Sequence, residues 1–124
     1  MKRLLFLAAL SLVAMLIFAS VSGAQKASVA GAQIQQKQAT RTVLIQNFSF
    51  KPAHITVKRG TRVTWINKDI TKHTATANNG AFDSGVLRPG QRYSHTFKIA
   101  GRTNKYHCEI HPFMRGSVTV KRWR

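Results

Sequence analysis

Four side chains of this sequence are of the kinds that bind soft metal ions, and three of them fall within one short stretch. Tyr106-His107-Cys108-Glu109-Ile110-His111-Pro112-Phe113-Met114 contains Cys-x2-His-x2-Met. One thiol, one imidazole and one thioether therefore converge in a tight loop. A second imidazole stands upstream in Asn67-Lys68-Asp69-Ile70-Thr71-Lys72-His73. Each residue alone has a plain structural use: a lone Cys is usually a small buried hydrophobe and a lone Met fills gaps. Their joint spacing points to a metal. Two His, one Cys and a weak Met suit copper, because sulfur favours Cu(I), imidazole serves both oxidation states, and a His2Cys plane with a distant Met is a type 1 site. Zinc gains little from a thioether and prefers further Cys, His or carboxylate ligands. The expected metal ligands are His73, Cys108, His111 and Met114.

The other histidines are read differently. His54 opens a strand as a structural residue. His95 lies on the face of Tyr93 and Phe97 as a hydrogen-bonded core histidine. His107 alternates with Cys108 and so points the other way. Five histidines in all cannot supply the additional copper cluster of an oxidase.

The elements that must position these ligands are short strands. Apolar residues recur at every second position in Val43-Ile45, Ile55-Val57, Val63-Trp65, Tyr93-His95-Phe97-Ile99, Tyr106-Cys108 and Val118-Val120. Turn signals separate them: Lys51-Pro52, Arg59-Gly60, Asn78-Asn79-Gly80, Arg88-Pro89-Gly90 and Ala100-Gly101. This pattern predicts an all-β sandwich or barrel. No stretch after residue 40 keeps a 3.6-residue apolar period. The loop carrying His73 follows the Val63-Trp65 strand, and the Cys-His-Met loop joins the last two strands.

The 124 residues divide further. Met1-Lys2-Arg3 is a positive start, Leu4 to Phe18 is apolar apart from Ser11, and Ser22-Gly23-Ala24 offers a small-residue cleavage site. That order is a secretory signal peptide over residues 1–24. Residues 25–40, rich in Ala and Gln, read as a flexible leader, and residues 41–124 as the folded domain. Twenty Lys and Arg stand against three acidic residues, a formal charge of +17. Removing residues 1–24 lowers that charge by two. Export argues against a nucleic-acid partner, and so does the spread of the basic residues along the domain, which reads as solvated surface. The single Cys excludes an intrachain disulfide.

The motifs together resemble the cupredoxins, the small blue copper proteins. The resemblance covers about residues 41–124 and is carried by Phe50-Lys51-Pro52, Val63-x-Trp65-x-Asn67-x-Asp69, His73, Phe82-x-Ser84-Gly85, Leu87-x-Pro89-Gly90, Tyr93-x3-Phe97 and Tyr106-His107-Cys108. Within the plastocyanin-like branch, the short loop from Cys108 to Gly116 is most similar to that of the amicyanins. The resemblance implies a Greek-key β-sandwich with one copper ion at one end, equatorial His73, Cys108 and His111, and axial Met114. It also implies a carrier rather than an enzyme, shuttling single electrons between redox partners in the periplasm or otherwise outside the cytoplasm. Many relatives have Asn directly after the first His, where it ties the ligand loops; here Thr74 offers a hydroxyl instead. An apolar skin around His111, with Leu87 and Pro89, is expected to receive partners. The excess positive charge suits acidic redox proteins or an anionic membrane surface, and the chain is expected to act as a monomer. The alternative reading with the same ligands is a copper protein for storage, delivery or resistance.

Overall fold

A strand with alternating apolar and polar side chains has one dry and one wet face, and that alternation sets the architecture. The computed structural model of the chain describes residues 36–123. The segment read as a signal peptide and most of the leader lie outside the described residues. Eight strands follow: β1 (Thr40–Ile45), β2 (Phe50–Lys51), β3 (His54–Lys58), β4 (Arg62–Asn67), β5 (Thr76–Ala77), β6 (Arg92–Thr96), β7 (Arg102–His107) and β8 (Arg115–Lys121). Among the described residues there is no α-helix. Pairing begins at Thr40. Just before it, the Ala39 carbonyl accepts from the Arg62 N–H and the Gln38 amide donates to the Gly60 carbonyl. The last residues of the segment read as leader are thus tied to the sheet.

The strands form two four-stranded sheets, ordered β2-β1-β4-β6 and β3-β8-β7-β5. β1 runs parallel to β4, and β3 parallel to β8; the other pairs are antiparallel. Parallel neighbours cannot be joined by a tight hairpin. The chain instead passes from the first sheet to the second after β2 and back after β3, through the turn at Gly60. The result is a Greek-key β-sandwich.

Val43, Ile45, Val63 and Trp65 of the first sheet and Ile55, Val57, Tyr106, Val118 and Val120 of the second are all buried. Each buried Val or Ile contributes roughly 1.5–3 kcal/mol relative to exposure. Trp65 links the layers, edge-on to Tyr106 with centroids 5.5 Å apart and stacked on Phe82 at 4.9 Å. Burial pushes the Tyr106 hydroxyl up to about 12, so the ring is neutral at any ordinary pH. β8 crosses close to that ring at Gly116. A methyl group there would overlap Tyr106 and lie 2.8 Å from the Ala53 carbonyl oxygen.

One expected face is only partly realised. Phe97 is buried, but Tyr93 and His95 are half-buried and Ile99 is exposed. β6 is an edge strand that ends at Thr96, and the turn at Gly101 then turns the chain into β7.

Candidate metal centre

The four residues expected as ligands all lie at one end of the sandwich. His73 sits in the loop that leaves β4. Cys108 follows the last residue of β7, and His111 and Met114 lie in the short connection to β8. The outward alternation of β7 turns Tyr106 and Cys108 inward together, and both are buried.

Three donor atoms meet there. The Nδ1 atoms of His73 and His111 lie 3.2 Å apart. Cys108 Sγ is 3.7 Å from His73 Nδ1 and 3.9 Å from His111 Nδ1. Metal bonds of about 2.0 Å to nitrogen and about 2.3 Å to sulfur, set in a trigonal plane, require spacings of about 3.5 Å between nitrogens and about 3.7 Å from nitrogen to sulfur. The cluster fits one ion without rearrangement. Cys108 and His73 are fully buried, whereas His111 is only half-buried. Met114 is buried beside them. Its N–H donates to the His111 carbonyl at 2.9 Å, and its own carbonyl accepts from the Cys108 N–H at 3.1 Å. The backbone of the loop thereby folds around the cluster.

Hydrogen bonds hold each donor. The Thr74 N–H donates to Cys108 Sγ at 3.2 Å, which fixes the direction in which the sulfur points. The Thr74 hydroxyl accepts from the Glu109 N–H at 2.8 Å, tying the two ligand loops as expected of it. That hydroxyl is also 3.0 Å from Thr76 Oγ1, and Thr76 donates its proton to Asp83 at 3.1 Å. Since Thr76 has one proton to give, Thr74 must be the donor between the two hydroxyls. The chain Glu109 N–H to Thr74 to Thr76 to Asp83 is then satisfied at every link.

His73 Nε2 lies 2.8 Å from Asp69 Oδ2. Donation of the Nε2 proton to that carboxylate leaves the Nδ1 lone pair facing Cys108 and His111, a tautomer typical of metal-binding His. Asp69 also accepts the N–H groups of Asn47 at 2.7 Å and Phe48 at 2.9 Å. Desolvation acts to raise the Asp69 carboxyl, but the bonds from Phe48, Asn47 and His73 outweigh it and hold it below its usual range. Buried Asn67 shapes the loop from inside, donating to the carbonyls of Thr71 and Leu87 and accepting from the Asp69 N–H.

The surroundings of His111 differ in one respect from the expectation. Leu87 is buried, and its backbone pairs with His73 in both directions. The exposed apolar side chains come instead from Phe48, Ile110 and Phe113. Phe48 stands at a positive φ of 53°. Its ring meets His73 and His111 edge-on, with centroids 5.2 and 5.0 Å apart.

The remaining histidines stay out of the cluster. His54 Nδ1 is 2.8 Å from Ser117 Oγ, and His107 Nδ1 is 2.7 Å from Asn78 Oδ1. His95 is half-buried and packs against the rings of Phe82 and Phe97 at 5.3 and 4.9 Å. Its neighbours are aromatic faces rather than the polar partner expected of it, and burial lowers its pKa.

Sequence reasoning missed two contributors, Asp69 and Phe48. Asp69 left a signal, as one of only three acidic residues and four positions before His73. Phe48 left none, because only the fold brings it to the ligands.

A family model described as a cupredoxin-like domain matches residues 8–120. Amicyanin of Paracoccus denitrificans is 37% identical over 82 residues, 62% of this chain and 62% of that protein. The chain thus spans somewhat under two thirds of that relative's length. Amicyanin-alpha of Methylorubrum extorquens is 30% identical over 118 residues, 91% of this chain and 98% of that one. Among solved structures, the Cu(I) form of an amicyanin variant with one methionine changed to alanine superposes with a TM-score of 0.62 at 34% identity, covering 66% of this chain and 82% of that one.

Proposed function

The chain belongs to the cupredoxin family, and from that premise we propose that it is an exported type 1 copper protein carrying single electrons between redox partners. The observation that carries this reading is the convergence of His73 Nδ1, His111 Nδ1 and Cys108 Sγ within 4.8 Å. These three would hold the ion, with Met114 as the weak fourth ligand. Bound copper supplies one-electron chemistry by alternating between Cu(I) and Cu(II).

The chain's own residues keep the site fixed and reachable. Asp69 and Thr74 lock His73 and the Cys108 sulfur in place before any ion arrives. Pre-set donors have little to rearrange when the charge at the site changes. Cys108 stands at the end of β7, so its backbone connects the site to the sheet. His111 is the half-buried ligand, rimmed by Phe48, Ile110 and Phe113. That rim excludes water and gives a partner a small surface for a brief encounter. Lys68, Lys72, Arg88 and Arg115 are exposed on or beside the same loops. They would steer acidic redox proteins towards the rim.

The buried thiolate and buried His73 favour electron transfer over delivery of the ion, which calls for exposed ligands. Export rests on the signal-like residues 1–24, and a periplasmic or other extracytoplasmic site of action follows from it. Cyclic voltammetry of the copper-loaded chain tests the carrier reading. A reversible one-electron couple with no copper loss over repeated cycles is expected. Ready transfer of copper to a metal-free acceptor protein, with loss of the couple, would establish delivery instead.

A further inference from the structure

The end of the sandwich away from the metal cluster has its own chemistry. The cluster lies where β7 ends and β8 begins, and β8 then runs from Arg115 to Lys121, about 20 Å at 3.3 Å per residue. At the far end of β8, and at the ends of its parallel neighbour β3 and of β6, an open groove of about 840 Å³ is lined by Lys58, Arg59, Lys98, Ile99, Arg122 and Trp123. All six are exposed. Ile99 is 58% and Trp123 60% accessible. Lys58 Nζ lies over the Trp123 ring, 5.1 Å from its centre.

Four cations sit around this groove, and no Asp or Glu side chain is among the described residues that line it. The three acidic residues are elsewhere: Asp69 and Glu109 in the ligand loops, and Asp83 hydrogen-bonded to Thr76. No acidic side chain of the molecule stands at this pole to balance the four cations. The groove also offers exposed apolar groups, an indole and an aliphatic side chain, between the basic residues. Basic groups beside Trp and aliphatic side chains are the mixture that settles at a lipid headgroup boundary. A strand of nucleic acid would call for several aromatics along a basic track, and this groove holds one. Gln36 lines the groove too.

We propose that this pole is a docking surface for a membrane rich in anionic phospholipid. Lys58, Arg59, Lys98 and Arg122 engage the headgroup phosphates, and Trp123 and Ile99 enter the interface. Bound in this way, the domain turns its metal end away from the lipid and leaves His111 open to soluble partners. The proposal adds to the copper reading without depending on it.

The test is binding of the full, copper-loaded chain to vesicles of phosphatidylglycerol and phosphatidylcholine, measured by co-sedimentation at low and at high salt. A basic residue near an anionic surface strengthens binding about fivefold. Replacing Lys58, Arg59, Lys98 and Arg122 together by Gln should therefore weaken binding on the order of 500-fold. A matched variant with Lys68, Lys72, Arg88 and Arg115 replaced by Gln should lose less than about tenfold, because those groups face away from the lipid. Residues 1–35 are common to both variants, so the difference reports the pole alone. Unchanged melting of each variant, followed by circular dichroism, shows that the fold is kept. In the wild type, Trp123 emission should shift to the blue on binding. Equal losses in the two variants would overturn the proposal, since net charge alone would then account for binding. Undiminished binding by the pole variant would overturn it as well. So would pole-dependent binding to DNA with none to the vesicles.

Discussion

Thr74 is the residue on which the junction between the two ligand loops depends, and Thr74→Val removes its hydroxyl while keeping its shape. The backbone bond from Thr74 N–H to Cys108 Sγ is untouched by the change. Two bonds are lost: the 2.8 Å bond accepted from the Glu109 N–H and the 3.0 Å link to Thr76. Thr74 itself is 2% exposed, so water cannot replace its hydroxyl from that side. A polar group left unpaired on burial costs about 1–3 kcal/mol. Glu109 is an exposed residue, and water reaching its N–H recovers part of this. The expected loss is about 1–2 kcal/mol in the metal-free protein. For a domain of this size it corresponds to a melting point lower by about 4–16 °C. Urea and thermal unfolding of the metal-free chain measure it. Asp83→Ala at the far end of the hydroxyl chain should cost less in the Thr74→Val background than in the wild type, because the links act together. A Thr74→Val protein within about 0.3 kcal/mol of wild type would show that this hydroxyl does not hold the loops together.

Other perturbations test separate parts of the account. Gly116→Ala presses a methyl group into the Tyr106 ring and the Ala53 carbonyl, and urea unfolding should show a loss of about 1–3 kcal/mol; no loss would mean that β8 and Tyr106 separate easily. Burial depresses the pKa of His95 from its ordinary 6.5. The unfolded chain therefore takes up that proton first, and stability is full above about pH 6.5 and declines as pH falls through it towards the folded value. His95→Leu should flatten that part of the urea-midpoint profile, and an unchanged slope would remove His95 as its source. Met114→Leu should keep the visible colour of the copper-loaded protein and shift its reduction potential; loss of all copper binding would make Met114 more than a weak ligand.

Much of this architecture was legible in advance. Val63-Trp65 and Val118-Val120 alternate without interruption, and they form the central strands whose buried faces make the core. Cys108, His111 and Met114 announced themselves because three soft donors within seven residues need only one tight loop between two strands to meet, and the backbone bonds of that loop supply it. His73 could be added because it follows a clear strand. The less legible parts depend on contacts far apart in sequence. Asn47 and Phe48 give their N–H groups to Asp69, over twenty positions away, and nothing local to either segment encodes that meeting. Leu87 was expected at the surface beside Pro89, but its backbone bridge to His73 turns the side chain inward. The strands β2 and β5, two residues each, are too short to leave a period. They exist because β1 and β7 offer them partners.

The claim that His73, Cys108 and His111 hold copper in a type 1 site is tested most directly by the visible absorption of the copper-loaded protein, alongside Cys108→Ser. The account predicts an intense band towards the red end of the visible range that disappears on reduction, returns on reoxidation and is absent from Cys108→Ser. A Cu(II) protein without that band, or a Cys108→Ser protein that keeps it, would contradict the account.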